Sequence, residues 1–164
     1  MEILNLKETH WEAVRTIFID GIQTKNATFM LPSEVPSWKG WTENHLSHSR
    51  FIAIKDAQVI GWAALTPYSK KFAYRGVAEV SVYIKLDERG NGFGKMLLER
   101  LVKASEENAI WTLQSRIYPE KETSLHIHKA CGFKALGTMK KAAQIDGIWR
   151  DVIILERRSK KVGN

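Results

Sequence analysis

Arg89-Gly90-Asn91-Gly92-Phe93-Gly94-Lys95 sets three glycines at alternate positions between the most strand-like run of the chain, Val77–Lys85, and its clearest helical pattern, Gly92 to about Asn108. A turn stripped of side chains lets backbone N–H groups crowd around an anion, and the helix N-terminus adds a partial positive charge. Arg89 and Lys95 add formal charge. The chemistry is that of a phosphate or pyrophosphate cradle; the plainer reading is a flexible strand–helix turn. Two common phosphate loops are excluded by spacing. A P-loop would need Gly where Arg89 stands and Ser or Thr where Met96 stands. A dinucleotide fingerprint would need G-x-G-x-x-G after an early strand, and the spacing here is G-x-G-x-G, deep in the chain.

Strand alternation sets Val77, Glu79, Ser81 and Tyr83 on one face and Ala78, Val80, Val82 and Ile84 on the other. Glu79 is therefore either a proton acceptor or a solvated carboxylate in a cross-strand ion pair. His126 and His128 stand two apart on a short helical segment. Helical metal ligands fall at i,i+3 or i,i+4, so the pair does not read as a metal site.

The elements that must position these groups read as β-α-α-β-β-β-α-β-α-β-β. Ile3 to Leu6 is a short strand. Thr9-His10-Trp11-Glu12 reads as a capping box, followed by Trp11, Val14, Ile17, Phe18 and Ile22 at helical spacing. Ser37 to about Ser47 is a second helix, with Trp38 and Trp41 on one side. Phe51–Lys55 and Val59–Leu65 form a hairpin around Asp56-Ala57-Gln58. Trp111–Ile117 is a strand, Thr123–Cys131 a short helix capped by Gly132, and Phe133–Lys141 and Ile148–Arg157 are strands around Asp146-Gly147. Three adjacent strands in mid-chain point to an α+β fold with a mixed sheet.

The chain has 164 residues, which suits one domain with a real core. Its formal net charge of +7 opens the question of a polyanion partner. Arg157, Arg158, Lys160 and Lys161 supply over half of that excess, so the expected division is one domain over 1–156 and a loose basic tail over 157–164. No basic recognition helix or RNA-binding aromatic motif is present, so nucleic acid is not the expected partner. One cysteine, Cys131, rules out an internal disulfide framework or a multi-thiolate zinc site. No apolar run approaches the ~20 residues of a membrane span, and the N-terminus does not read as a signal peptide. The expectation is a cytoplasmic protein without membrane association.

Arg89-x-x-Gly92-x-Gly94 matches the [QR]-x-x-G-x-[GA] motif of the GCN5-related N-acetyltransferase superfamily. Further segments resemble its phosphinothricin acetyltransferase-like branch: Glu79-x-Ser81-Val82-Tyr83-Ile84, Ser124-Leu125-x-x-His128-x-x-x-Gly132-Phe133, Ala27-Thr28-Phe29 and Gly147-x-Trp149-x-Asp151-Val152. The resemblance runs from residue 1 to about 157. It implies a twisted, mostly antiparallel mixed sheet with splayed central strands, flanked by helices, into which acetyl-CoA enters; no metal is implied. Close relatives pair as homodimers, and the resemblance carries that expectation over.

Residue by residue, it implies that the backbone of Arg89, Gly90, Asn91, Gly92, Phe93, Gly94 and Lys95 takes the cofactor pyrophosphate. Val82, Tyr83 and Ile84 would pair with the pantetheine amides like an added strand, and Ser124 would lie against the cofactor. The branch usually has Asn where this chain has Lys121, which changes one side-chain contact. Acetyl transfer must deprotonate an amine, stabilise an oxyanion and protonate a thiolate. Glu79 is the implied base, acting directly or through water; His128, which can donate or accept near neutral pH, is the second catalytic group; and the Val82 N–H serves the carbonyl oxygen. Arg75 is the candidate for a substrate carboxylate, with Thr28, Phe29 and Trp149 as pocket walls. The expected reaction is N-acetylation of a small amino acid or analogue, such as phosphinothricin or methionine sulfoximine. The rivals are a protein or peptide N-acetyltransferase on the same fold and a non-catalytic acetyl-CoA-binding module.

Overall fold

The apolar stripe Trp11, Val14, Ile17, Phe18 and Ile22 is buried along α1 (Trp11–Gln23), in the computed structural model, which describes residues 1–164. Ahead of it lies β1 (Glu2–Asn5). The expected capping box is replaced by a tighter turn. Glu8–His10 forms a single 3-10 turn, and the Lys7 N–H donates to His10 Nδ1 at 3.1 Å. The second helix, α2 (Trp38–Asn44), is capped by Ser37, whose Oγ accepts from the Gly40 N–H at 3.3 Å. Trp38 and Trp41 stack at 5.8 Å, and Trp41 is fully buried.

The chain continues through β2 (Arg50–Lys55), β3 (Gln58–Pro67), β4 (Val77–Ile84), α3 (Phe93–Glu107), β5 (Thr112–Ile117), α4 (Glu122–Ala130), β6 (Lys134–Ile145) and β7 (Ile148–Arg158). The strands form one seven-stranded sheet in the order β1-β2-β3-β4-β5-β7-β6. Every neighbouring pair is antiparallel except β4–β5. That pair is parallel because α3 supplies the crossover such strands require.

The sheet is covered on both faces. Leu97, Leu98, Leu101 and Ala104 of α3 pack with Ala63, Leu65, Ala78, Val80 and Leu113 on one side. Val14, Ile17 and Phe18 pack with Ile52, Trp62 and Ala64 on the other. β3 is accordingly apolar on both faces, as a central strand must be. Gly61 is required there: a Cβ would lie 2.5 Å from Ile84 Cδ1 and 2.8 Å from the Tyr83 carbonyl oxygen.

The basic end is tied down rather than loose. Arg157 and Arg158 extend β7, pairing with Leu113 and Thr112 of β5. Ser159 is buried, and Glu106 receives Arg157 at 3.1 Å, the Ser159 hydroxyl at 3.0 Å and Lys161 at 3.2 Å. The Arg158 guanidinium donates to the Val162 carbonyl at 3.0 Å. The expected boundary at 156/157 thus falls inside a strand, and Glu106 at the end of α3 is a largely buried anion that those cations neutralise.

Candidate active site

β4 and β5 pair at Val77–Thr112, Ala78–Leu113 and Glu79–Gln114, and then separate. β4 stays with β3 as far as Ile84–Gly61, and β5 stays with β7 as far as Ile117–Ile153. Each strand is thus drawn outward by its other neighbour, and a cleft of about 960 Å³ opens between them. The bonds Tyr68 N–H to the Val77 carbonyl and Lys85 N–H to the Ile60 carbonyl fix which β4 groups face β3. By antiparallel alternation, Glu79, Ser81 and Tyr83 spend their backbone groups on β3, while Val80, Val82 and Ile84 turn theirs toward the cleft. Val82 and Ile84 thus lie with their backbone groups on the cleft edge. For Tyr83 the backbone is paired with Trp62 and only the neighbouring residues are free.

Arg89 to Lys95 closes one end of the cleft. Gly90 (φ +84°) and Gly92 (φ +82°) are left-handed, and a Cβ on either would meet nothing within 4 Å. Glycine is there for backbone conformation and for open space beside the N-terminus of α3. Gly92 occupies the helix N-cap with no side-chain cap, which leaves the first N–H groups of α3 free. The Arg89 Nε donates to the Ile84 carbonyl at 3.2 Å, the Asn91 amide donates to the Glu88 carbonyl at 3.2 Å, and Lys95 lies 3.6 Å from Glu99. Lys121 also lines this end, and its ammonium is held below the usual lysine range by burial and by the charge of Arg89. Free N–H groups and these cations together make an anion site.

Glu79 stands at the fork, where the pairing ends. Its carboxylate takes an ion pair from Arg116 of β5, a residue that sequence reasoning passed over. Both side chains line the cleft, and both are partly open to it, Glu79 by 33% and Arg116 by 43%. The signal for Arg116 was its place two residues beyond Gln114, on the same face of the parted strand.

His128 is buried on α4, edge-on to Phe133 at 5.0 Å, and lines the cleft. Its Nδ1 lies 2.8 Å from the Ser124 carbonyl oxygen. A carbonyl only accepts, so Nδ1 carries the hydrogen and Nε2 presents a bare lone pair with no partner. Burial holds the imidazole pKa below its ordinary value. The neutral ring therefore accepts a proton at Nε2 and has none to give there, which narrows the expectation that it could do either. Ser124 serves the cleft through this carbonyl as well as by lining it.

Thr28 and Phe29 also line the cleft. Phe29 packs edge-on to Tyr118 at 5.2 Å, and Arg150 lies over the other ring at 4.3 Å. Tyr118 was also missed: its hydroxyl is buried without a partner, and burial pushes its pKa up to about 12. Tyr83 packs against Phe18 and Trp62, and burial pushes its phenol up as well.

Two expected residues lie elsewhere. Arg75 stacks over Phe72 at 4.2 Å and Trp111 at 5.2 Å and donates to the Phe72 carbonyl; it does not line the cleft. Aromatic faces in its own loop capture the guanidinium. Trp149 sits on the β6–β7 hairpin, 54% exposed, also outside the cleft. No helix is long and apolar enough to cross a membrane, and no three His, Cys, Asp or Glu residues are grouped to hold a metal.

The cleft is thus a sheet opened between two parallel strands, with a glycine-lined helix N-terminus beside it and a carboxylate at the fork. A profile of the Acetyltransferase (GNAT) family matches residues 11–133, and the chain belongs to this family. It is 35% identical over 107 residues to a phosphinothricin N-acetyltransferase from Alcaligenes faecalis, covering 65% of this chain and 54% of that one. The chain thus spans about half the length of that relative. It is 28% identical over 128 residues to an L-methionine sulfoximine/L-methionine sulfone acetyltransferase from Pseudomonas aeruginosa, covering 76% of this chain and 74% of that one. Among solved structures, a phosphinothricin acetyltransferase from Sinorhizobium meliloti in complex with AcCoA superposes with a TM-score of 0.86 at 25% identity, over 96% of this chain and 87% of that chain.

Proposed function

We propose that the protein transfers the acetyl group of acetyl-CoA to the amino group of a small amino acid or analogue of the phosphinothricin and methionine sulfoximine type. The observation that carries this reading is Glu79 at the fork of the parted strands, in one cleft with the glycine-lined turn and the Phe29–Tyr118 wall. The residues present fit the cofactor. Left-handed Gly90 and Gly92 leave room for a pyrophosphate at the N-terminus of α3, and the cleft edge at Val82 and the Ile84 N–H suits an amide-bearing arm. When bound, acetyl-CoA supplies a thioester, an acyl group activated toward amines.

The chain's own residues then divide the work. Glu79 takes the first proton from the ammonium, directly or through water, and exposes the nitrogen lone pair. The Val82 N–H, unpaired on the cleft edge, receives the charge that develops on the carbonyl oxygen. As the N–C bond forms and the C–S bond breaks, the second nitrogen proton passes to the bare Nε2 of His128 and from there to the departing sulfur. The products are an amide and a thiol, with one proton left on Glu79 for solvent.

Thiol release from acetyl-CoA, measured across phosphinothricin, methionine sulfoximine, other amino acids and basic peptides, tests the reading. Turnover on the small anionic amines is expected. Turnover on peptides alone would favour a protein or peptide acetyltransferase, and tight acetyl-CoA binding with no turnover a non-catalytic module. A homodimer belongs to the same proposal, supported by exposed Leu136, Met139, Ile148 and Trp149 on the β6–β7 hairpin; light scattering of the wild type and of Trp149→Glu reads it. So does a cytoplasmic location, with which the single free thiol, Cys131, is consistent.

A further inference from the structure

We propose that Arg116 is the receptor for the anionic group of the substrate, and that this group, by taking Arg116, releases Glu79 to act as the base. The inference rests on the reading above and names the residue that sets its substrate class.

Alternation along β5 places Arg116 on the same side of the sheet as Glu79, and its one side-chain hydrogen bond is to the Glu79 carboxylate. A guanidinium carries five N–H donors in a planar fork. Most of that fork is unspent, and 43% of the side chain is open. The other cations near the cleft lie at the glycine turn or are already partnered. Arg89, Lys95 and Lys121 gather at the glycine turn. Arg150 donates to the Lys25 carbonyl, the Asn26 side-chain oxygen and Glu120, at 2.9, 3.0 and 3.3 Å. Arg75 is held outside by Phe72 and Trp111. Arg116 is the cation left at the acceptor end.

The pair as it stands is closed on itself. The Glu79 oxygen that accepts from Arg116 has that lone pair occupied, so it is not open to an incoming ammonium N–H. An α-amino acid carries the complementary pair, an ammonium beside an anion. On entry its anion takes the Arg116 fork in bidentate fashion and its ammonium takes the vacated Glu79 carboxylate. Two ion pairs replace one. An amine that lacks the anion leaves Arg116 on Glu79, and the base stays masked.

The test compares L-methionine sulfone with its carboxamide, which keeps the amine and removes the charge. Wild-type kcat/KM is expected to favour the acid by about 100-fold, the scale of a lost bidentate charged contact. In Arg116→Gln the preference should collapse to within about 3-fold, with the acid slower and the amide faster, because Glu79 is no longer masked. Arg116→Lys should recover part of the preference, since it keeps the charge and loses the fork. Glu79→Gln should still bind the acid in calorimetry with CoA present, through the freed Arg116 fork, while losing turnover. A wild type that acetylates acid and amide equally, or an Arg116→Gln enzyme that keeps the full preference, overturns the role of Arg116 alone. A wild type that turns over neither compound nor any other amine overturns the catalytic reading itself.

Discussion

Glu79 and Gln114 are the last parallel partners before β4 and β5 part. The carboxylate is therefore anchored by paired strand on one side and faces the open cleft on the other. Its backbone is held by β3 through Thr66 in register, while its carboxylate reaches across the fork to Arg116 of β5.

Glu79→Gln should lower kcat/KM for the amine by about 10²–10³-fold, the usual worth of a positioned general base. Acetyl-CoA binding, measured by calorimetry, should be retained, since the proposed cofactor grip is the glycine turn and not Glu79. The partly exposed Arg116 pair contributes little to stability, so the thermal midpoint should move by only a degree or two.

Gly92→Ala places a side chain at φ +82°, where the added Cβ meets no neighbour. The cost is conformational, about 1–2 kcal/mol by chemical denaturation. The same strain shifts the first N–H groups of α3, so KM for acetyl-CoA should rise by about 10-fold. A variant with normal KM would separate the turn from cofactor binding.

Stability should fall with acid because of His45. Burial, above all, holds its pKa down at about 4, against 6.5 for the free group; it bonds the Trp41 carbonyl at 2.7 Å and stacks on the Trp41 ring. The unfolded chain binds this proton first, so the stability is fully present above 6.5 and is lost progressively toward pH 4. Urea titrations should show a loss of about 2 kcal/mol between pH 7 and about pH 5, largely absent in His45→Asn. His128 shifts in the same direction. Its protonation fills Nε2, so activity should drop below the ordinary histidine range and remain flat above it.

Removing residues 159–164 strips the Ser159 and Lys161 contacts from Glu106. Burial opposes the charge on that carboxylate, and its bonds from Lys161, Ser159 and Arg157 more than compensate, leaving its pKa below the usual range. The truncation should cost about 2 kcal/mol in denaturant titration. Steady-state constants should stay within about 3-fold, because none of these residues lines the cleft. A larger kinetic loss would tie the end of the chain to the site or to a subunit contact.

Element order was legible because it follows from local patterns. The helical stripe from Trp11 to Ile22, the hairpin pattern around Asp56 and the glycines before Phe93 each act over a few residues. The Thr9 capping box failed for a local reason too, since His10 Nδ1 offered the Lys7 N–H a nearer acceptor. Side-chain destinations were less legible. Arg75 and Arg116 are both cations near the Glu79 strand, and sequence distance favoured Arg75, four residues away. The fold sent Arg75 to the aromatic rings of Phe72 and Trp111 and brought Arg116, from 37 residues on, against Glu79.

The sequence alone determined the mixed sheet, the glycine turn at the head of α3, the face on which Glu79 lies and the family resemblance, since all of these rest on spacing along one segment. The tertiary structure alone decided which backbone edge of β4 is free, that the imidazole of His128 is bare at Nε2, that the basic end is pinned by Glu106, and that Arg116 closes on Glu79. Each of these depends on strands and helices distant in sequence meeting at one place, where burial and hydrogen-bond geometry assign partners that no local pattern records.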